Sequence, residues 1–235
     1  GGIAGEPIPV VKCKTVDIEV PARAEIVIEG EIPTDYLERE GPFGEHTGYI
    51  SGEFLNLFMN VTCITHRKDP IYAAFFSQFP PSESSVIRGV AADAVFLKFL
   101  KYDCNIPTLM EVHWHQESGS NQWCVIKMKK TNDSQPWQAL LAAAAYEPHV
   151  GKNIIVVDED IDIYDPDSVI WAICYRMQPD RDIRIVPGKM HITDPSVAPS
   201  VEGRAERAPG SSLLMNATRK WPYPPTALPA KEFME

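Results

Sequence analysis

Asn153-Ile154-Ile155-Val156-Val157-Asp158-Glu159-Asp160-Ile161-Asp162 is a short apolar run that ends in acids. Asp167-Ser168-Val169-Ile170-Trp171-Ala172-Ile173 follows it as an apolar helical stretch. An apolar run of this length, bounded by polar loop residues, reads as a buried strand. The acids end the strand, and Asp167 or Ser168 caps the helix that follows, where carboxylates also suit the helix dipole. Strand, loop and helix in that order are the unit of an α/β layer. The same alternation extends to both sides: strands at 57–65, 108–114 and 122–129, helices at 84–101, 135–146 and 167–176. Pro80-Pro81-Ser82 is the entry to the first helix, with Ser82 and Ser84 as capping donors. The acidic run is not a calcium loop. Ile163 and Val169 stand where such a loop needs its glycine and its bidentate glutamate.

Upstream, Val16, Ile18 and Val20, then Ile26 and Ile28, alternate as two strands turning at Pro21-Ala22, the mark of an antiparallel sheet or barrel edge. Downstream, the chain from 186 to 217 is rich in Pro, Gly and Ser and reads as an extended arm with little regular structure. The large apolar groups Met190, Ile192, Leu213, Leu214, Met215, Trp221 and Tyr223 on such an arm would need a covering surface, and a neighbouring subunit supplies one.

The second informative stretch is Glu40-Gly41-Pro42-Phe43-Gly44-Glu45-His46-Thr47-Gly48-Tyr49. Pro42 fixes φ near about −65°, and Gly41 and Gly44 open backbone angles closed to other residues, so the loop can present two carboxylates in a defined geometry. A carboxylic acid donates a proton at neutral pH only when an apolar surround or a like charge raises its pKa. Phe43, Tyr49 and the second acid could supply both. On spacing alone, a solvated acidic turn is the commoner outcome.

His113-Trp114-His115, with Glu117, places two imidazoles on one face of a strand. They could share a metal, but two histidines without a third ligand are an incomplete site, and a polar strand end is the commoner reading. Arg176 and Arg181 near Asp180 and Asp182 read as a surface ion-pair network.

The net charge of −10 argues against nucleic acid and anionic membranes as partners, since both need a basic face. The longest apolar run, around 140–146, is far below the roughly 20 residues that span a bilayer, and a cytoplasmic protein is expected. The five cysteines, Cys13, Cys63, Cys104, Cys124 and Cys174, are odd in number and widely spaced, and read as buried thiols. A hydrophobic content of 44% with 23% charged residues is ordinary for a globular protein.

Taken in order, several blocks resemble the UbiD family of decarboxylases that use prenylated flavin mononucleotide (FMN). They are Val10-Val11-Lys12-Cys13 with Thr15-Val16-Asp17, the stretch from Val20 to Gly30, and the Glu40 to Tyr49 turn. They continue in Val157-Asp158-Glu159-Asp160-Ile161-Asp162, Val169-Ile170-Trp171-Ala172, Arg176-Met177-Gln178-Pro179-Asp180-Arg181-Asp182 and Ala217-Thr218-Arg219-Lys220-Trp221. The resemblance implies the end of a split β-barrel flavin-binding domain (1–54), an α/β domain (55–186) and an extended C-terminal arm (187–235). It implies a reversible, non-oxidative decarboxylation of an aromatic or α,β-unsaturated acid, in which the modified flavin forms an adduct with the substrate and the protein contributes orientation and a proton. By position Glu45 resembles the proton donor and Glu40 its partner carboxylate. Pro42, Phe43, His46 and Ser212 fall at cofactor-binding positions, and His113, Trp114 and His115 in the substrate pocket. The family's dimers and hexamers imply a homo-oligomer.

The resemblance also implies what this sequence does not match. The family's arginine between the two acids, and the ligands of the Mn or Mg and K that hold the flavin phosphate, are expected upstream of this chain or on a partner subunit. The chain therefore reads as a C-terminal portion. Several relatives carry a phosphate-contacting lysine where Ser212 stands. Two functions follow, a portion of a decarboxylase or a non-catalytic subunit that scaffolds one.

Overall fold

The computed structural model describes residues 1–190, 194–197 and 210–227. They divide into two compact units, 1–44 with 50–76 and 45–49 with 77 onward. Residues 55–76, expected in the α/β domain, thus belong to the first unit.

The first unit holds three two-stranded antiparallel sheets. β1 (Val10–Lys12) pairs with β2 (Glu19–Pro21), β3 (Ile26–Glu31) with β6 (Asn60–His66), and β4 (Glu38–Glu40) with β5 (Phe54–Asn56). The two strands expected to pair across Pro21-Ala22 do not pair with each other. Each has a partner elsewhere, so the alternation located strands but not their register. Glu29 on β3 is buried, and its carboxylate accepts from Lys14 N, Thr15 N and Thr15 Oγ1 at 2.7–2.9 Å, fixing the loop between β1 and β2.

The second unit is built on a five-stranded mixed sheet in the order β10-β11-β9-β8-β7. Its strands are β7 (Leu109–Trp114), β8 (Trp123–Met128), β9 (Asn153–Asp158), β10 (Ile183–Lys189) and β11 (Gly210–Ala217). β9 lies between two parallel neighbours, β8 and β11, and β7 and β10 close the edges antiparallel. This central position explains the opening motif. Ile154 and Val156 face one core, and Ile155 and Val157 the other, all four fully buried. A strand buried on both faces needs an unbroken apolar run. Each of those side chains contributes about 1.5–3 kcal/mol relative to exposure.

The first core is covered by α1 (Glu83–Lys98) and α2 (Gln135–Ala145). α1 starts at Ser82, whose N–H donates to Ser85 Oγ at 2.8 Å, and continues into a π-helical turn at Phe99–Asp103. α2 buries Pro136, Ala139, Leu140 and Ala143, one helical stripe. The second core is covered by α3 (Pro166–Arg176), which buries Val169 and Ala172. Its cap is Asp165, accepting from Asp167 N at 3.1 Å, rather than Asp167 or Ser168. A four-residue helix, α4 (Pro179–Asp182), leads into β10.

The expected extended arm is corrected over 210–217. This segment is β11, an internal strand, with Leu214 fully buried and Met215 nearly so. Those apolar groups are covered by their own unit, not by a neighbour. Ile192 lies outside the described residues. Arg176 is also corrected. It is 4% exposed and sits inside the acidic run, donating to Asp158 Oδ2 at 2.9 Å and to both Asp160 oxygens at 2.7 Å. Of the cysteines, only Cys124 is buried, and Cys174 is exposed. No helix among the described residues is long and apolar enough to cross a membrane.

Candidate active site

The acid turn divides between the two units: Glu40, Pro42 and Phe43 belong to the first and Glu45 and His46 to the second. Glu40 ends β4, and its carboxylate accepts from Asn56 Nδ2 on β5. Gly41 takes φ of +91°, which a side chain resists, and Phe43 N donates to Ser51 Oγ at 3.2 Å. Pro42 and Phe43 are both exposed, Phe43 by 48%.

Residues 45–49 form a tight turn. Glu45 N donates to Tyr49 O and Gly48 N to Glu45 O, each at 2.9 Å. Gly48 is required twice, by its φ of +87° and because a Cβ there would lie 2.6 Å from the Phe79 ring. His46 Nδ1 is 3.9 Å from Glu45 Oε2, with the two side chains 19% and 28% exposed. Burial, and secondarily the charge of Arg88, lower the pKa of His46 against the pull of Glu45. The imidazole is therefore neutral at neutral pH. His46, Thr47 and Tyr49 line a cavity of about 530 Å³ with Pro80, Glu117, Asn121 and Lys152 among its other walls.

His113 on β7 and His115 just past its end lie on one side, with ring centroids 4.7 Å apart. His113 Nδ1 is held by Asp93 Oδ2 at 2.9 Å, and the other oxygen of Asp93 accepts Trp114 N at 2.8 Å, so this α1 carboxylate satisfies the sheet edge. The Tyr164 ring packs tilted against His113, with centroids 4.6 Å apart. His115 is 6% exposed, and burial, then the neighbouring His113, lower its pKa. Trp114 points the other way, into the first core against Phe96 at 5.0 Å, with 3% exposed. It is a core residue, as the period of two requires when His113 and His115 take the opposite face.

Ser212 is fully buried on β11, and its hydroxyl donates to the Gly151 carbonyl. It is closed to a cofactor phosphate. Among the described residues no group of three His, Cys, Asp or Glu could hold a metal ion. The described residues therefore do not fit the metal-and-phosphate end of a flavin nucleotide. Asp93, Arg88 and Tyr164 escaped the sequence reading, since charged or aromatic residues on a helix or loop carry no local sign of what they will touch.

Residues 1–79 match the 3-octaprenyl-4-hydroxybenzoate carboxy-lyase Rift-related domain, and residues 85–217 match the C-terminal domain of the same enzymes. The chain belongs to the UbiD family of carboxy-lyases. It is 33% identical over 224 residues to an uncharacterized protein of Archaeoglobus fulgidus, covering 94% of this chain and 44% of that one. Among solved structures it is similar to the UbiD-class enzyme HmfF from Pelotomaculum thermopropionicum in complex with FMN, with 34% identity and a TM-score of 0.73 over 97% of this chain and 47% of that one. It is also similar to the 3,4-dihydroxybenzoic acid decarboxylase of Klebsiella pneumoniae, with 28% identity and a TM-score of 0.77 over 100% of this chain and 51% of that one. The chain thus spans about half the length of the relatives it matches.

Proposed function

We propose that this chain is the C-terminal portion of a non-oxidative decarboxylase for aromatic or α,β-unsaturated acids, with Glu45 as the proton donor. The observation that carries this reading is the turn at 45–49 of a UbiD-family chain, whose His46, Thr47 and Tyr49 line a cavity and which holds Glu45 beside the neutral His46 imidazole. The first unit is then the closing part of a split β-barrel. That fits its exposed apolar strands, with Ile28, Phe54, Val61 and Ile64 each at least half exposed. Prenylated FMN, with Mn or Mg and K, is held by residues outside this chain. When bound, it supplies a sink for the electron pair left on carbon.

The work assigned to this chain is proton delivery. Loss of carbon dioxide breaks the bond between the carboxylate and its carbon, and a proton from the Glu45 carboxyl forms the new C–H bond there. The carboxylate left on Glu45 takes its next proton from solvent, which restores the acid for another cycle. Glu45→Gln in the complete enzyme tests the assignment. The amide keeps the shape but carries no transferable proton, so decarboxylation falls by at least about a hundredfold while cofactor binding is unchanged. Turnover at the original rate would leave the scaffold reading in its place.

A further inference from the structure

The first unit carries two half-buried thiols, Cys13 just after β1 and Cys63 within β6, and both lie beside the buried Glu29 carboxylate. Glu29 and Cys63 are direct partners in the antiparallel β3–β6 ladder, so their side chains leave the same face of that sheet. Glu29 reaches the loop after β1, where it accepts from Lys14 N and Thr15 N. The Cys13 thiol donates to the same carboxylate. The register shift at Glu29/Gly30 makes Thr62 the extra residue of a bulge, which lets Thr62 as well as Cys63 face this loop. The Thr62 and Thr15 hydroxyls meet at 2.6 Å and tie the loop to β6 a second time. Cys13, Glu29 and Cys63 therefore form one group, close enough that a charge on Cys63 is felt at Cys13.

Among the described residues no group of three His, Cys, Asp or Glu could hold a metal, so the chemistry open to these two thiols is with each other. Burial, and then the charge of Glu29, raise the pKa of Cys13, so it rests as the thiol and is the slower of the two to react. The β1–β2 ribbon has something to gain from a bond at this point. Its strands are three residues long and exposed except for Val20, and its loop is held to the β3–β6 sheet by hydrogen bonds to Glu29 and Thr62. A covalent link from Cys13 to Cys63 would fasten the ribbon at that same place, and closing a long loop in this way restricts the unfolded chain.

We propose that Cys13 and Cys63 are a reversible dithiol–disulfide pair, oxidised by a small disulfide such as glutathione disulfide, which locks the β1–β2 ribbon onto the β3–β6 sheet. In the first step Cys63 loses its proton and its sulfur attacks one sulfur of glutathione disulfide. The S–S bond breaks, and one glutathione leaves with that proton. Cys13 then loses its proton and attacks the Cys63 sulfur, and the second glutathione leaves with the proton from Cys13. Two protein thiols are oxidised to one disulfide, and one glutathione disulfide is reduced to two thiols.

The test is a peptide map of the full chain, carrying Cys174→Ser to remove the exposed thiol, after native incubation with glutathione disulfide and alkylation of the remaining thiols. The peptide linked through Cys13 and Cys63 should exceed every other cysteine pairing by at least about tenfold, because a disulfide forms only between sulfurs the fold already holds together. Dithiothreitol should reverse it, and the same incubation in urea should abolish the preference. Cys13→Ser should stop at the mixed disulfide between Cys63 and glutathione, which then has no thiol to resolve it. The native map keeps both cysteines of the pair, so the result does not depend on that variant folding. Cys13 and Cys63 left as thiols, either one linked instead to Cys104 or Cys124, or a preference no greater than in urea, overturns the proposal.

Discussion

Arg176 Nη1 on α3 donates to Asp158 Oδ2 at the end of β9 across 2.9 Å, with the two side chains 4% and 3% exposed. Asp158 Oδ2 also accepts Arg219 N at 2.8 Å, and Lys220 Nζ donates to Arg176 O at 3.0 Å, so the pair fastens α3, β9 and the exit of β11 together. Removing one member of a buried pair leaves the other charge poorly compensated: without Arg176, Asp158 keeps only Arg219, whose Nε lies 3.4 Å away. Arg176→Leu should therefore cost about 3–5 kcal/mol in urea unfolding. Adding Asp158→Asn should recover part of that loss, because the amide still accepts from Arg219 N without a buried charge. A double variant as unstable as the sum of the two singles would show the pair is not coupled.

His46 and His115 both have pKa values held below the ordinary histidine value, chiefly by burial. Below about pH 6.5 the unfolded chain takes up protons that the folded chain refuses. The stability tied to these two rings is then fully present above about pH 6.5 and is lost as pH falls through the window beneath it. Urea midpoints should drop between about pH 7.5 and 5.5, and His115→Gln should flatten that slope even if it lowers the plateau. Asp160 acts in a separate window. Its pKa is lowered first by its hydrogen bond from Arg176, so its contribution persists through this range and is lost only below the ordinary carboxylate value. An unchanged slope in His115→Gln would show that its burial is not what sets the acid limb.

How much of this was legible depended on whether a residue's partners are local. β8, β9, α2 and α3 were readable because apolar period and flanking breakers are local signals, and each was found within a residue or two of its expected bounds. β11 was not. Gly210-Ser211-Ser212-Leu213-Leu214-Met215-Asn216-Ala217 has no β-branched residue, and its strand state comes from parallel pairing with β9, some 60 residues away. The same segment explains Ser212, expected beside a cofactor and found sealed against Gly151 O. Trp114 was misplaced although the signal was present, since alternation puts it opposite His113 and His115. Arg88 and Asp93 had no signal, because their partners are a carbonyl and a strand edge met only in the folded chain.

The two acids of the turn should act as a coupled pair in the complete enzyme. Glu40→Gln lowers the rate through the charge environment of the second acid rather than by withholding a proton. Combined with Glu45→Gln it should add little to the loss already caused, as is usual for residues that work as a unit. Single-turnover rates of the two single variants and the double variant decide this. Losses that multiply would mean the two carboxylates act independently.

Without the remaining protein, the chain should bind no flavin. Ser212 is closed, no described cluster can hold a metal, and a flavin phosphate without cationic or metal partners is not retained. Dialysis against prenylated FMN followed by absorbance should leave the chain colourless. Stoichiometric retention would mean that the phosphate is held by residues other than those the family resemblance implies.

Association should run through α3 and the segment after β11. Ile170 and Tyr175 on α3 are 54% and 70% exposed, and Trp221, 57% exposed, packs tilted against Tyr223 at 5.7 Å with Arg181 over its ring. Together with Met177, Gln178 and Pro224, several of these groups border a cavity of about 300 Å³. Aromatic and arginine side chains with exposed apolar area are the composition of an interface centre. Tyr175→Glu places a charge on that face without touching either core, so it should lower the mass seen by light scattering while leaving the urea midpoint of the unit nearly unchanged. A wild-type chain that is monodisperse and monomeric at micromolar concentration would remove α3 from this role and leave the aromatic face to some other partner.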